Sequence, residues 1–128
     1  MQKNILHKLN LVVYPSTVWV AIGCSDEFLS KKFKEQFNPM PNKLAAGVYT
    51  LYGDILIRFK SEECLTIPYI SHESTHAALY IFEYMGCKVD FDNQEPFAFL
   101  VDCIANFCDS LKTKIKNNDS KRTKRKTK

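Results

Sequence analysis

The stretch that most limits how this chain can fold is Pro68 to Gly86, PYISHESTHAALYIFEYMG. Proline is tolerated in a first helical turn, where its missing N–H has no partner to lose, and glycine closes a last turn. The spacing therefore predicts a helix of about five turns. On a wheel of 100° per residue with His72 at zero, His76 falls at about 40° and Glu73 at about 100°. Ile70, Ala77, Ala78, Ile81 and Met85 spread over about 140° to 240°, behind the histidines. Such a helix has an apolar back to bury and a polar front. On that front His72-Glu73-Ser74-Thr75-His76 forms an H-E-x-x-H pattern. Two imidazoles four residues apart share a helix face and can hold one metal ion, with the glutamate beside a water on that ion. His72 and His76 are the candidate ligands and Glu73 the candidate general base.

Three fixed letters in five recur by chance, so the pattern draws weight from its surroundings. Ser71, Ser74, Thr75, Ala77 and Ala78 around it are uncharged. A second helix follows, with Asn93 as its expected N-cap and Pro96 in its first turn. Phe97, Leu100, Val101, Ile104, Cys108 and Leu111 then recur at three- and four-residue steps, an amphipathic stripe. Glu95 lies off that stripe, 19 residues after His76. His72, His76 and Glu95 would together make a His₂Glu zinc site whose fourth position is left to water. The alternative for Glu95 is a first-turn carboxylate stabilised by the helix dipole.

HESTH followed by a turn and then NQEPFAFLVD resembles the zincin-like metallopeptidases of the Glu-ligand (gluzincin) type, and more narrowly their small versions carried by phages and prophages. The resemblance spans roughly residues 9 to 111, with its specific part at residues 70 to 102. It implies His72, His76 and Glu95 as zinc ligands and Glu73 as general base in hydrolysis of a peptide or amide bond. It also implies a strand edge beside the metal helix, expected in the hairpin at residues 47 to 60, where extended peptide would pair. In larger gluzincins a carboxylate one turn after the ligand glutamate orients a histidine, and here that place is Phe99. Asp102 is the nearest acid on that face, about 10 Å further along the helix than Glu95.

Composition bounds the rest. A chain of 128 residues with 45% apolar content supports one domain with one core. Nine of the 18 Lys and Arg residues lie in Lys112 to Lys128, with Asp119 the one acid there. Residues 1 to 111 hold the other nine and 13 acids, so a body near −4 carries a tail near +8. Residues 112 to 128 are expected to be a disordered basic tail, since Asn117 to Lys128 has no apolar residue to bury. Its Lys121, Arg122, Lys124, Arg125 and Lys126 are candidates for non-specific phosphate contacts with nucleic acid. Five cysteines without close pairing suit a reducing cytoplasm, that of the host if the chain is phage-encoded. Cys103 and Cys108 are expected to be half-buried structural thiols. Lys3 and Lys8 before an apolar stretch ending at Cys24 faintly suggest a leader, but Asn10 and Pro15-Ser16-Thr17 interrupt it. No run approaches the ~18 apolar residues of a membrane helix, so no membrane partner is expected.

In chain order the pattern predicts strands at Leu9 to Tyr14 and Thr17 to Gly23, then a helix over Glu27 to Phe37 capped by Ser25 or Asp26. Strands at Gly47 to Tyr52 and Ile55 to Lys60 follow, about a Gly53-Asp54 turn. The result is an α+β domain over residues 1 to 111: a short N-terminal helix and antiparallel strands packed with the H-E-x-x-H helix and a C-terminal helix. Tyr69, Tyr80 and Arg58 are candidate oxyanion or substrate contacts. The expected activity is zinc-dependent hydrolysis of a peptide or protein. The competing class is a zinc-stabilised module that binds a host protein without catalysis.

Overall fold

A computed structural model describes residues 4–126, with side chains through Lys124. Four strands, β1 (Ile5–Asn10), β2 (Thr17–Ile22), β3 (Ala46–Leu51) and β4 (Asp54–Phe59), form one sheet in the order β1-β2-β4-β3. Three helices accompany it: α1 (Asp26–Phe33), α2 (Ile67–Tyr84) and α3 (Gln94–Lys126). A single 3-10 turn, Glu62–Cys64, leads into α2.

The expected antiparallel sheet is mixed. β1 pairs antiparallel with β2, and β3 with β4, but β2 and β4 run parallel. The chain between them carries α1 and the whole of β3, so it re-enters the sheet in its original direction, which no tight hairpin permits. The Thr17 amide donates to Asp54 Oδ1 at 2.9 Å and aligns the starts of the two parallel strands.

Period-two alternation sorts the sheet residues onto two faces. Val18, Val20 and Ile22 of β2 and Ile55, Ile57 and Phe59 of β4 join α2 and α3 in the larger cluster. Ala21 and Leu56 point the other way and pack with Leu29 and Phe37 beneath α1. Ser25 caps α1 as expected, its hydroxyl accepting from the Phe28 amide at 3.1 Å. The helix ends at Phe33, short of Phe37, because Lys34 turns left-handed.

Two strand boundaries move. β1 begins at Ile5 and ends at Asn10, and the apolar Val12 and Val13 beyond it stand 101% and 84% exposed. The β3–β4 turn is Tyr52-Gly53, one residue earlier than Gly53-Asp54, with φ of 48° and 92°. Both central residues of such a hairpin turn need positive φ, which glycine adopts without strain. A Cβ on Gly53 would meet the Tyr84 ring 2.8 Å away, so the hairpin tip sits against the C-terminal end of α2.

α3 carries its predicted stripe inward at Leu100, Ile104, Cys108 and Leu111, and extends it to Ile115. The basic segment from residue 112 is helical rather than disordered, running to Lys126. Lys and Arg are good helix formers and favour the negative end of the helix dipole, so a helix already nucleated by packing propagates through them. With Ile115 in the core, the folded body reaches past the expected boundary at Leu111. Among the described residues no helix is long and apolar enough to cross a membrane.

Candidate metal centre

Local chemistry makes α2 a rigid support. Pro68 lies in its first turn, the Ile70 amide donates to the Thr66 carbonyl at 2.8 Å, and Gly86 closes the far end with φ of 73°. Ser71 and Thr75 satisfy their hydroxyls on the carbonyls of Ile67 and Ser71, at 2.7 and 2.8 Å. Such back-bonding satisfies the hydroxyls within the helix, at a slight cost to helix stability. Ile70, Ala77, Ala78 and Ile81 are buried as the wheel predicted.

His72 and His76 stand exposed on the opposite face. Their ring centroids are 4.7 Å apart and their Nε2 atoms 3.1 Å apart. Two imidazoles on one tetrahedral zinc, with Zn–N bonds near 2.05 Å, hold their nitrogens about 3.3 Å apart. The pair therefore fits a shared zinc ion in both donor type and spacing. Without a metal, one N–H of the right tautomer bridges the same gap.

Glu73 differs from its neighbours in being buried, 7% exposed. Burial pushes its carboxyl above the usual range, and the imidazoles of His72 and His76 pull it part of the way back. It opens with His72 onto a cavity of about 270 Å³. Pro68 and Tyr69 of α2 form one side and Lys43 to Ala46, leading into β3, form the other. That wall escaped the sequence reading, since nothing in NKLAAG marks it as more than a strand approach.

Glu95 is not gathered with the histidines. Among the described residues no three His, Cys, Asp or Glu side chains converge as a metal-binding group. The reason lies in how α2 and α3 pack. Phe82 and Phe97 stack edge-to-face with centroids 5.7 Å apart, while further back along α2 the Ser74 hydroxyl lies by the Cys108 thiol. The helices are thus antiparallel, and the start of α3 meets the end of α2. Six residues of helix separate Phe82 from His76, about 9 Å, and Glu95 precedes Phe97. Glu95, Phe99 and Asp102 are all exposed.

The remaining candidates separate clearly. Tyr69 shares the cavity of His72 and Glu73, and Tyr80 stands one turn beyond His76, lining a second cavity. Arg58 is on the α1 side of the sheet, buried, and paired with Asp26. Its guanidinium also donates to the Asn38 and Cys24 carbonyls at 3.2 and 3.4 Å. Strand alternation thus puts it on the sheet face opposite α2, between Ile57 and Phe59 of the α2 face. All five cysteines are unpaired; Cys108 is buried and Cys103 exposed. Lys121, Arg122 and Lys124 are exposed on the last turns of α3, and the side chains of Arg125 and Lys126 lie outside those described.

No protein-family model, curated protein or solved structure matches the chain.

Proposed function

We propose that this protein is a zincin-like, zinc-dependent peptidase, with His72 and His76 holding the metal and Glu73 serving as its general base. One observation carries the reading: two exposed imidazole nitrogens 3.1 Å apart, with a buried carboxylate between them in sequence, beside the cavity under β3. Bound zinc would supply Lewis acidity, polarising a substrate carbonyl and making water acidic near neutral pH.

The chain's own residues divide the remaining work. Glu73, its proton affinity raised by burial, takes a proton from the attacking water and returns it to the leaving amine. Tyr69, on the wall of the same cavity, offers a phenol to the carbonyl oxygen as it gains charge. β3 pairs with β4 on one side only, so its other edge offers backbone groups to an extended peptide. Five unpaired cysteines accord with a reducing cytoplasm, and the exposed cations ending α3 accord with loose contact to nucleic acid.

The test is cleavage of an unbiased peptide library by the purified protein, with and without zinc, alongside Glu73→Gln. Cleavage by wild type and none by a folded Glu73→Gln supports the peptidase. No cleavage by either protein, with identical behaviour in cellular assays, supports the non-catalytic host-binding module instead.

A further inference from the structure

A second cavity, of about 440 Å³, lies further along the same edge of β3. The order is set by the fold: the approach to β3 lies by His72 and Glu73, while the hairpin tip beyond its end lies against Tyr84. β3 and α2 therefore advance together, and the cavity beside Val48, Tyr49 and Thr50 comes one turn of α2 past the histidines, at Tyr80. From Glu73 to Tyr80 is seven residues of helix, about 10 Å, and about three residues of extended peptide cover the same distance.

Phe37, Tyr49 and Tyr80 line this cavity together with polar Gln36, Asn38 and Thr50, and its charge is a single carboxylate, Glu35. Phe37 and Tyr49 meet edge-to-face with centroids 5.7 Å apart, and Phe37 is itself buried, so that wall is fixed. Tyr80 closes the side towards α2. Glu35 is half-buried at the margin, and among the described residues no hydrogen bond or ion pair engages it. Aromatic rings together with an unengaged carboxylate suit a long apolar stem ending in a cation.

We propose that this cavity recognises a lysine or arginine side chain of an extended peptide laid along the free edge of β3. The stem would lie between Tyr49 and Tyr80, and the ammonium or guanidinium would meet Glu35. Antiparallel pairing with β3, the more stable ladder, places the basic residue about three positions N-terminal to the bond at His72 and Glu73. The inference deepens the peptidase reading and rests on it for that bond.

The test uses full-length Glu73→Gln protein and end-blocked heptapeptides that differ at one position: Lys, Arg, norleucine or Glu. Fluorescence anisotropy of labelled peptides should show Lys and Arg binding about tenfold tighter than norleucine, and Glu weakest, the scale of one charge-assisted contact. Glu35→Gln should remove the preference and Glu35→Lys should invert it. Glu27→Gln, at an exposed acid of α1 outside the cavity, should leave it unchanged. Equal binding of Lys and norleucine peptides, or a preference that survives Glu35→Gln, would overturn the proposal. Selective binding of the Lys peptide, uncut by zinc-loaded wild type, would uphold the cavity's role and count against the peptidase.

Discussion

Replacing Asp26 by alanine leaves the Arg58 guanidinium without its carboxylate in a site where its side chain is 6% exposed. Removing one partner of a buried pair costs about 3–5 kcal/mol, because the other charge stays desolvated and uncompensated. Two features lower that figure here. The Asp26 side chain is 30% exposed, so water can partly replace it, and Arg58 keeps the carbonyls of Asn38 and Cys24. The expected loss is about 2–3 kcal/mol, or about 8–12 °C in Tm for a domain of this size. Urea unfolding followed by far-UV circular dichroism reads it directly. Asp26 also sits in the first turn of α1, where a carboxylate is worth about 0.3–1 kcal/mol through the helix dipole. Glu27→Ala, in the same turn and exposed, measures that part alone. Asp26→Ala combined with Arg58→Met should recover much of the loss, since neither charge is then stranded. A single Asp26→Ala within 0.5 kcal/mol of Glu27→Ala, each measured against wild type, would mean that Arg58 does not depend on Asp26 and is free for another role.

Buried groups, Ser74 and Cys108 at the α2–α3 contact among them, give three further outcomes. The Ser74 hydroxyl is fully buried and lacks a hydrogen-bond partner of good geometry, its thiol neighbour Cys108 notwithstanding. Ser74→Ala removes that unpaired group and improves helix propensity, so it should raise stability by about 1–2 kcal/mol in urea unfolding. Burial holds the Cys108 thiol neutral up to about 12, against 9.0 unperturbed. Above pH 9.0 the unfolded thiol ionises and the folded one does not, so stability falls by about 1.4 kcal/mol per pH unit from this group. Cys108→Ala should therefore show a shallower alkaline limb than wild type, and Cys87 and Cys103 should label with a thiol reagent well before Cys24 and Cys108.

What could be read from the sequence depended on the range of the interactions. α2 was legible because Pro68, Gly86 and the apolar back are local signals, and its front had to carry His72 and His76 together. The α3 stripe and the Ser25 cap were legible for the same reason. β1 was misplaced because LVV reads as a buried run, yet Val12 and Val13 sit past the last paired residue. The parallel pairing of β2 and β4 depends on what lies between them, which strand propensity does not encode. Counting 19 residues from His76 to Glu95 said nothing of helix register. α2 continues to Tyr84, and the following turn returns the chain to the far end of that helix. The extent of α3 was missed because residues without apolar side chains can still prolong a helix that others have anchored.

The claim that His72 and His76 form a metal centre is tested most directly by calorimetric zinc titration of the metal-stripped protein. Wild type should bind one zinc per chain. His72→Ala and His76→Ala should each abolish binding, and Glu73→Gln should preserve it. Glu95→Ala should bind zinc within about threefold of wild type, a change below 1 kcal/mol, as its place at the far end of α2 requires. Zinc binding that survives loss of both histidines would contradict the account. Loss of zinc in Glu95→Ala, matching the histidine variants, would contradict the placement of α3 and restore the His₂Glu site expected from the sequence.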